Sequence, residues 1–278
     1  MTAPPHLSHS QIDTVLKCGE QYRLERIYRA PRTPAWYFIG GSVVHVVTEM
    51  IDVGFDDLNE VTPDWIENAC ARQFDDLVED EYFKSGIDPV DWRAGGRGGS
   101  EDASWWHVEA PKMVQRWVDF LREGNLKVAN IDKKRAVELE FVSHYGGVRF
   151  KGGIDRVLLG RDTNERVIVD LKTGRSEPTS PFQLAHYRDA LRECHGIDVR
   201  WAYYWMARTG KLSKPFDLDL IDDETMTQRV TVAHTLISEG LFTPNPSPLC
   251  SSCGVKRWCS AFGGTTFEFE ELVDSAND

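Results

Sequence analysis

Gly153-Ile154-Asp155 and the run Val167-Ile168-Val169-Asp170-Leu171-Lys172, whose aspartate lies fifteen residues beyond Asp155, decide how this chain is read. Val167-Ile168-Val169 has the apolar character of a buried strand, yet it ends in charge. A core accepts such charges only when they are paired or hold a metal. The surroundings are strand-like as well. Ala136 to Val142 alternates, Tyr145-Gly146-Gly147 turns, Val148 to Leu159 returns, and Arg161 to Glu165 turns into Val167 to Leu171. The expected arrangement is an antiparallel meander. Neighbouring strands lie about 5 Å apart, so Asp155 and Asp170 reach one cation if the hairpin register brings them level. Lys172, two residues past Asp170, shares its strand face. The competing reading is a surface salt bridge between Asp170 and Lys172, with Asp155 capping a turn.

Ser8 or Ser10 caps a first helix through Ile12, Val15, Leu16, Cys18, Tyr22 and Leu24. Gly40-Gly41-Ser42 opens a second helix that carries His45 and, one turn later, Glu49. Residues 60 to 125 read as helical and acidic, broken by a glycine-rich stretch from Ala94 to Ser100. That stretch lacks the Gly-Lys-Ser/Thr ending of a phosphate loop and reads as a mobile connection. Trp92, Arg93, Arg97, Trp105 and Trp106 flank it as residues that can touch nucleic acid. Helices are expected at Phe182 to Cys194 and Asp223 to Glu239, with a strand at Arg200 to Met206. Trp36-Tyr37-Phe38, Trp105-Trp106 and Trp201 to Trp205 are candidates for stacking bases, although core packing accounts better for the strand group.

At 278 residues and 41% hydrophobic, the chain can bury a substantial core. No apolar run approaches a membrane span and the N-terminus lacks a secretory pattern, so a cytoplasmic protein without membrane attachment is expected. The net charge of −12 is unevenly placed: residues 49 to 91 hold fourteen Asp or Glu against Arg72 and Lys84. The tail from Glu268 adds five acids and no base. A locally basic groove therefore remains compatible with the acidic total. Lys133-Lys134-Arg135 and the bases near the cysteine-rich end (Arg23, Arg26, Lys256, Arg257) are placed to touch phosphates.

Two carboxylates offer the oxygen ligands preferred by Mg²⁺ or Mn²⁺, and an imidazole from His45 would shift the preference toward Mn²⁺. Such an ion polarises a phosphate and lowers the pKa of a bound water, while Lys172 offsets charge in the transition state. On the following helix Gln183 and Tyr187 are spaced i, i+4 and share one face. The order His45, Gly153-x-Asp155, Asp170-x-Lys172, Gln183-x-x-x-Tyr187 resembles the PD-(D/E)XK nuclease superfamily, in particular its RecB/AddB and Cas4-like branch. The resemblance implies that His45, Asp155, Asp170 and the Leu171 carbonyl bind the metal. It also implies that Lys172 is catalytic with Asp155 and Asp170, and that Gln183 and Tyr187 support the DNA and the lysine. Glu138 or Glu140 can add a further acid, but the face of neither is fixed by the sequence.

Cys250-x2-Cys253-x5-Cys259 gathers three thiols, and Cys18 lies 232 positions upstream. Taken alone they fit a metal site or a chance cluster. Zinc knuckles usually offer two close pairs, unlike this one-plus-three arrangement. It is similar to the iron–sulfur version of the same branch, in which a [4Fe–4S] cluster ties the N-terminal helix to the C-terminal segment. Zinc is the less favoured occupant. The branch usually has Pro after the first cysteine; this chain has Gly19. Cys70 and Cys194 fall in expected helices as core or bystander residues.

The implied fold is α/β. It has a restriction-endonuclease-like core with a central mixed sheet flanked by helices, a helical insertion, and an iron–sulfur lobe formed by both termini. The expected segments are 1–48 (N-terminal helices with Cys18 and His45), 49–130 (acidic insertion), 131–221 (core) and 222–278 (C-terminal helix, cysteine segment and acidic tail). The implied activity is metal-dependent hydrolysis of DNA, as an exonuclease trimming single-stranded ends or overhangs in recombination, repair, viral DNA metabolism or CRISPR spacer processing. Protein partners would come from a recombination, replication or CRISPR complex. The alternative is a catalytically silent DNA-end-binding or assembly subunit.

Overall fold

A computed structural model describes residues 4–264, so the acidic tail lies outside the described residues. The helices are α1 (His9–Lys17), α2 (Gly19–Tyr22), α3 (Trp36–Gly54), α4 (Pro63–Ser85), α5 (Ala103–Glu123), α6 (Phe182–His195) and α7 (Asp223–Ser238). The strands are β1 (Leu126–Val128), β2 (Asn130–Ile131), β3 (Lys134–Arg135), β4 (Val137–Tyr145), β5 (Val148–Gly160), β6 (Arg166–Lys172), β7 (Trp201–Met206), β8 (Lys211–Leu212) and β9 (Phe216–Asp217). Among the described residues no helix is long and apolar enough to cross a membrane.

The chain forms two compact units. The larger, residues 35–143 and 152–222, holds most of a seven-stranded mixed sheet ordered β1-β5-β6-β7-β8, with β4 on β5 and β9 on β7. β5 and β6 pair antiparallel with Arg156 opposite Val169 and Val157 opposite Ile168. β6 and β7 run parallel, with Asp170 beside Tyr204. Parallel neighbours need a crossover, and α6 supplies it. The helical layer α3–α5 shares one core with the sheet, in which Val47, Trp117, Val169, Leu171 and Trp205 are fully buried.

Local chemistry explains the helix ends. Thr62 accepts from the Trp65 N–H, Pro63 follows in the first turn, and Gly86 closes α4 in the left-handed region at φ 64°. α3 begins at Trp36, four residues before the glycine pair that was expected to open it. Gly40 instead serves packing inside the helix, because a Cβ there would sit 2.0 Å from the Trp106 ring. Only glycine lets α5 approach α3 so closely.

The smaller unit, residues 1–34, 144–151 and 223–278, is built on α1, α2 and α7 in its described part. Ser8 and Gln11 form a capping box on α1. Arg229 of α7 pairs with Asp13 of α1 at 3.1 Å, and Leu7 bridges in parallel to Phe150. Leu24, Ala30, Val255 and Trp258 make a small core of its own.

Candidate active site and thiol centre

The register that sets Arg156 opposite Val169 brings Asp155 level with Asp170. Asp155 Oδ2 accepts the Leu171 N–H at 3.1 Å and lies 3.7 Å from His45 Nδ1. The Leu171 backbone lies close enough to the same imidazole to favour its protonated form slightly. His45, Glu138 and Asp155 each offer one ligand atom, all within 4.8 Å of one another. Asp170 is fully buried, which removes the surface salt-bridge alternative. Lys172 Nζ lies 2.6 Å from Asp170 Oδ2 and donates to Gln183 Oε1 at 3.0 Å. Gln183 in turn donates to the Tyr187 hydroxyl at 2.9 Å, and that hydroxyl donates to Asp170 Oδ1 at 3.2 Å. Thus α6 closes a ring of hydrogen bonds around the end of β6.

Glu138, not Glu140, is the acid that turns inward; Glu140 is exposed. Its backbone sits at φ 46°, in the left-handed region that a non-glycine residue seldom occupies. That residue breaks the alternation of β4, so its face was not readable from the sequence. Gly153 leaves room beside it, since a Cβ there would lie 3.6 Å from the Glu138 carboxylate.

The electrostatics describe a site short of positive charge. Burial pushes the Asp170 carboxyl up to about 6, helped by the Asp155 charge and opposed by Lys172. Burial also raises Asp155, and with the Asp155 and Glu49 charges it takes Glu138 up to about 7. Burial holds the His45 imidazole down at about 4, so it is neutral near pH 7 with a lone pair available. Three crowded carboxylates and a neutral imidazole are a donor set that a borderline divalent cation satisfies. The residues present therefore fit Mg²⁺ or Mn²⁺.

Arg156, fully buried, underlies this arrangement and was missed in the sequence. Its guanidinium donates to Asp52 Oδ2 at 2.5 Å, Glu138 Oε1 at 3.3 Å, the Asp155 carbonyl at 2.7 Å and Thr48 Oγ1 at 3.2 Å. Trp117 Nε1 donates to the other Asp52 oxygen at 2.9 Å. The signal was there: an arginine inside the apolar strand Ile154 to Leu158 needs a buried acid, and Asp52 lies seven residues after His45 on one helical face.

In the smaller unit, Cys18, Cys250, Cys253 and Cys259 line one cavity of about 230 Å³ together with Leu24, Val255 and Phe262. The Asn245 and Ser247 N–H groups donate to Cys18 Sγ and Cys250 Sγ, each at 3.4 Å. Burial raises the Cys253 and Cys259 thiols, and each also feels Cys18 and Cys250. Gly19 has a local reason, because a Cβ there would meet the Thr243 nitrogen at 2.8 Å. Cys70 is buried on α4, where burial pushes its thiol up to about 12, and Cys194 is exposed on α6. Neither faces the cavity.

The sequence model of the PD-(D/E)XK nuclease superfamily matches residues 6–260. The chain belongs to this superfamily. The mixed sheet flanked by helices is consistent with its restriction-endonuclease-like fold. Nucleases of the superfamily use divalent metals, in keeping with the donor set around Asp155. Among relatives, the Gene 69 protein of Mycobacterium phage D29 is 26% identical over 267 residues, spanning 93% of this chain and 97% of that protein. The Gene 69 protein of Mycobacterium phage L5 is 25% identical over 304 residues, spanning 94% and 98%. Of solved structures, SSO0001 aligns at 12% identity with a TM-score of 0.40, covering 94% of this chain and 89% of its own.

Replacing Arg156 with Leu strands Asp52 and is expected to cost about 3–5 kcal/mol in denaturant unfolding. Replacing Asp52 with Leu as well should recover much of that loss, a coupling read from a double-mutant cycle. Additive losses would show that the pair is not coupled.

Proposed function

We propose that this protein is a metal-dependent deoxyribonuclease of the RecB/AddB and Cas4-like branch, acting as an exonuclease on single-stranded DNA ends. The observation that carries the reading is the convergence of His45, Glu138 and Asp155 beside the Asp170–Lys172 pair. Binding alone would not call for a lysine held against a buried carboxylate next to a cation-sized gap. His45, Asp155, Asp170 and the Leu171 carbonyl would hold Mg²⁺ or Mn²⁺, with Glu138 as an additional ligand. Bound there, the ion polarises the phosphate and acidifies a water. In hydrolysis the water oxygen attacks phosphorus, the bond to one sugar oxygen breaks, and the departing oxygen takes up a proton. Lys172 carries its ammonium to the phosphate side of Asp170 and offsets the charge that gathers on phosphorus. Gln183 and Tyr187 position Lys172 and Asp170. In this division of labour the segments 1–48 and 222–278 supply the thiol centre, 131–221 the catalytic acids and lysine, and 49–130 a wall over the substrate path. Kinship with proteins of Mycobacterium phages favours viral DNA metabolism as the setting.

End-labelled oligonucleotides with 5′ and 3′ overhangs, incubated with each metal, test the activity. Wild type should give ladders that shorten from one end, and Lys172→Ala or Asp170→Ala should reduce the rate by at least about 10²-fold. DNA binding without products under any metal would overturn the reading and favour the silent subunit.

We further infer that Cys18, Cys250, Cys253 and Cys259 hold a [4Fe–4S] cluster. Support comes from the shared cavity and from the N–H groups aimed at sulfur, which stabilise thiolates. Among the described residues, the ligand atoms that gather as threes within 4.8 Å belong to His45, Glu138 and Asp155 rather than to the cysteines. Thiolates on one tetrahedral zinc would sit about 3.8 Å apart, as follows from Zn–S bonds of about 2.3 Å. Such a cluster would fix residues far apart in sequence against each other. Anaerobically purified protein should contain about four iron and four sulfide per chain, lost in Cys18→Ser. One zinc per chain and no iron would contradict the assignment.

A further inference from the structure

The helix that carries His45 also carries an aromatic ring on the same stripe. Phe38, Ser42, His45 and Glu49 are spaced by four, three and four residues along α3, and all four lie on its open face. Phe38 is 50% exposed, whereas its neighbours Trp36, Trp92 and Trp106 are buried in the core. Seven residues of helix separate Phe38 from His45, about 10 Å, a span of about three stacked nucleotides. The Phe38 ring is braced by Tyr37, with centroids 4.7 Å apart and planes tilted by 51°, and Arg93 lies over Tyr37 at 5.9 Å.

Positive charge is fixed beside this stripe. Glu101, 4% exposed in its side chain, pairs with Arg175 at 2.7 Å and with Arg208 at 2.8 Å. Burial raises the Glu101 carboxyl, but hydrogen bonds from Arg208 and Arg175 prevail and hold it below the usual range. Arg208 also donates to the Thr173 carbonyl at 2.7 Å and covers the Trp105 ring at 4.7 Å. The clasp therefore anchors the chain just past Lys172. The same Glu101 fixes the base of the glycine-rich loop through paired backbone hydrogen bonds with Gly95, at 3.1 and 3.0 Å. Gly96, Gly98 and Gly99 all have positive φ, a path only glycine follows readily, and they present Arg97 at the exposed tip. Gly41, one turn from His45, brings α3 against this strand end, since a Cβ there would lie 3.0 Å from Thr173 Oγ1.

We propose that Phe38 stacks an unpaired base near the scissile phosphate while Arg97 and Arg175 take the adjoining phosphates, so that this edge selects single-stranded DNA over duplex. The inference rests on the nuclease reading of the site. Base stacking on an aromatic ring tolerates any sequence but requires the base to be free of its partner. A paired end would have to fray before it could seat on Phe38. Electrostatic contacts to phosphate alone would not make that distinction.

Binding separates this proposal from the activity. With Ca²⁺, a hard cation that takes carboxylate oxygens in looser geometry, in place of Mg²⁺ or Mn²⁺, a single-stranded oligonucleotide carrying 2-aminopurine three positions from its end reports stacking by quenching. Phe38→Ala should weaken single-strand affinity by about 5–150-fold, the range for one stacked base, and abolish the quenching. Phe38→Trp should restore both, and affinity for a blunt duplex should be the same in all three proteins. Arg97→Ala and Arg175→Ala should weaken both substrates and flatten the salt dependence. Equal losses for single strand and duplex in Phe38→Ala, or unchanged quenching, would overturn the proposal while leaving metal-dependent cutting intact. Failure of wild type to cut with any metal would instead overturn the nuclease reading, and this proposal with it.

Discussion

The ion pair between Arg156 and Asp52 holds the candidate site together, because both partners are fully buried and neither charge has water to fall back on. Arg156 belongs to the strand that carries Asp155, and Asp52 to the helix that carries His45. A buried guanidinium must satisfy its donors, and this one does so with Asp52, Thr48, Glu138 and the Asp155 carbonyl. The geometry that brings an imidazole to an aspartate is thus a by-product of satisfying the arginine. Such pairs contribute little net stability compared with apolar residues of the same shape. What this one contributes is position.

Above that anchor, crowding of like charge defines the site. Burial raises Asp155, Asp170 and Glu138 first, and the Asp155 charge raises the other two further, while Lys172 and Arg156 pull Asp155 itself back down. Lys172 relieves part of the excess on Asp170, and Tyr187 donates to its other oxygen. A cation placed among the remaining oxygens and the neutral imidazole would relieve the rest. The strained backbone at Glu138 belongs to the same account: a left-handed non-glycine residue at the start of a strand persists only where its surroundings insist on it, and here Arg156 takes its carboxylate.

Much of this was legible in the sequence for one reason. Charges at the end of an apolar run stand out against the pattern, so Asp155, Asp170 and Lys172 could be named, but whether the two aspartates come level depended on the hairpin register, which only the folded pairing fixes. Helical spacing put Gln183 and Tyr187 on one face, and the family resemblance supplied their place in the site. Period-two reasoning failed at Glu138, where the backbone itself breaks the period. It also gave no view of Arg156, whose partner lies 104 residues away and comes close only in the folded chain. The start of α3 was misjudged because Gly40-Gly41 looks like a helix boundary, whereas it answers the bulk of Trp106.

The acidic total charge is concentrated in the 49–91 segment, and the Arg175–Glu101–Arg208 clasp is a local positive feature of the larger unit. The most direct test of the whole account is anomalous diffraction from crystals equilibrated with Mn²⁺. The account predicts an ion bonded to His45 and Asp155, with Glu138 or Asp170 completing the set and Arg156 still on Asp52. Saturating Mn²⁺ with no ordered ion among these side chains, or with the ion seated elsewhere, would contradict it.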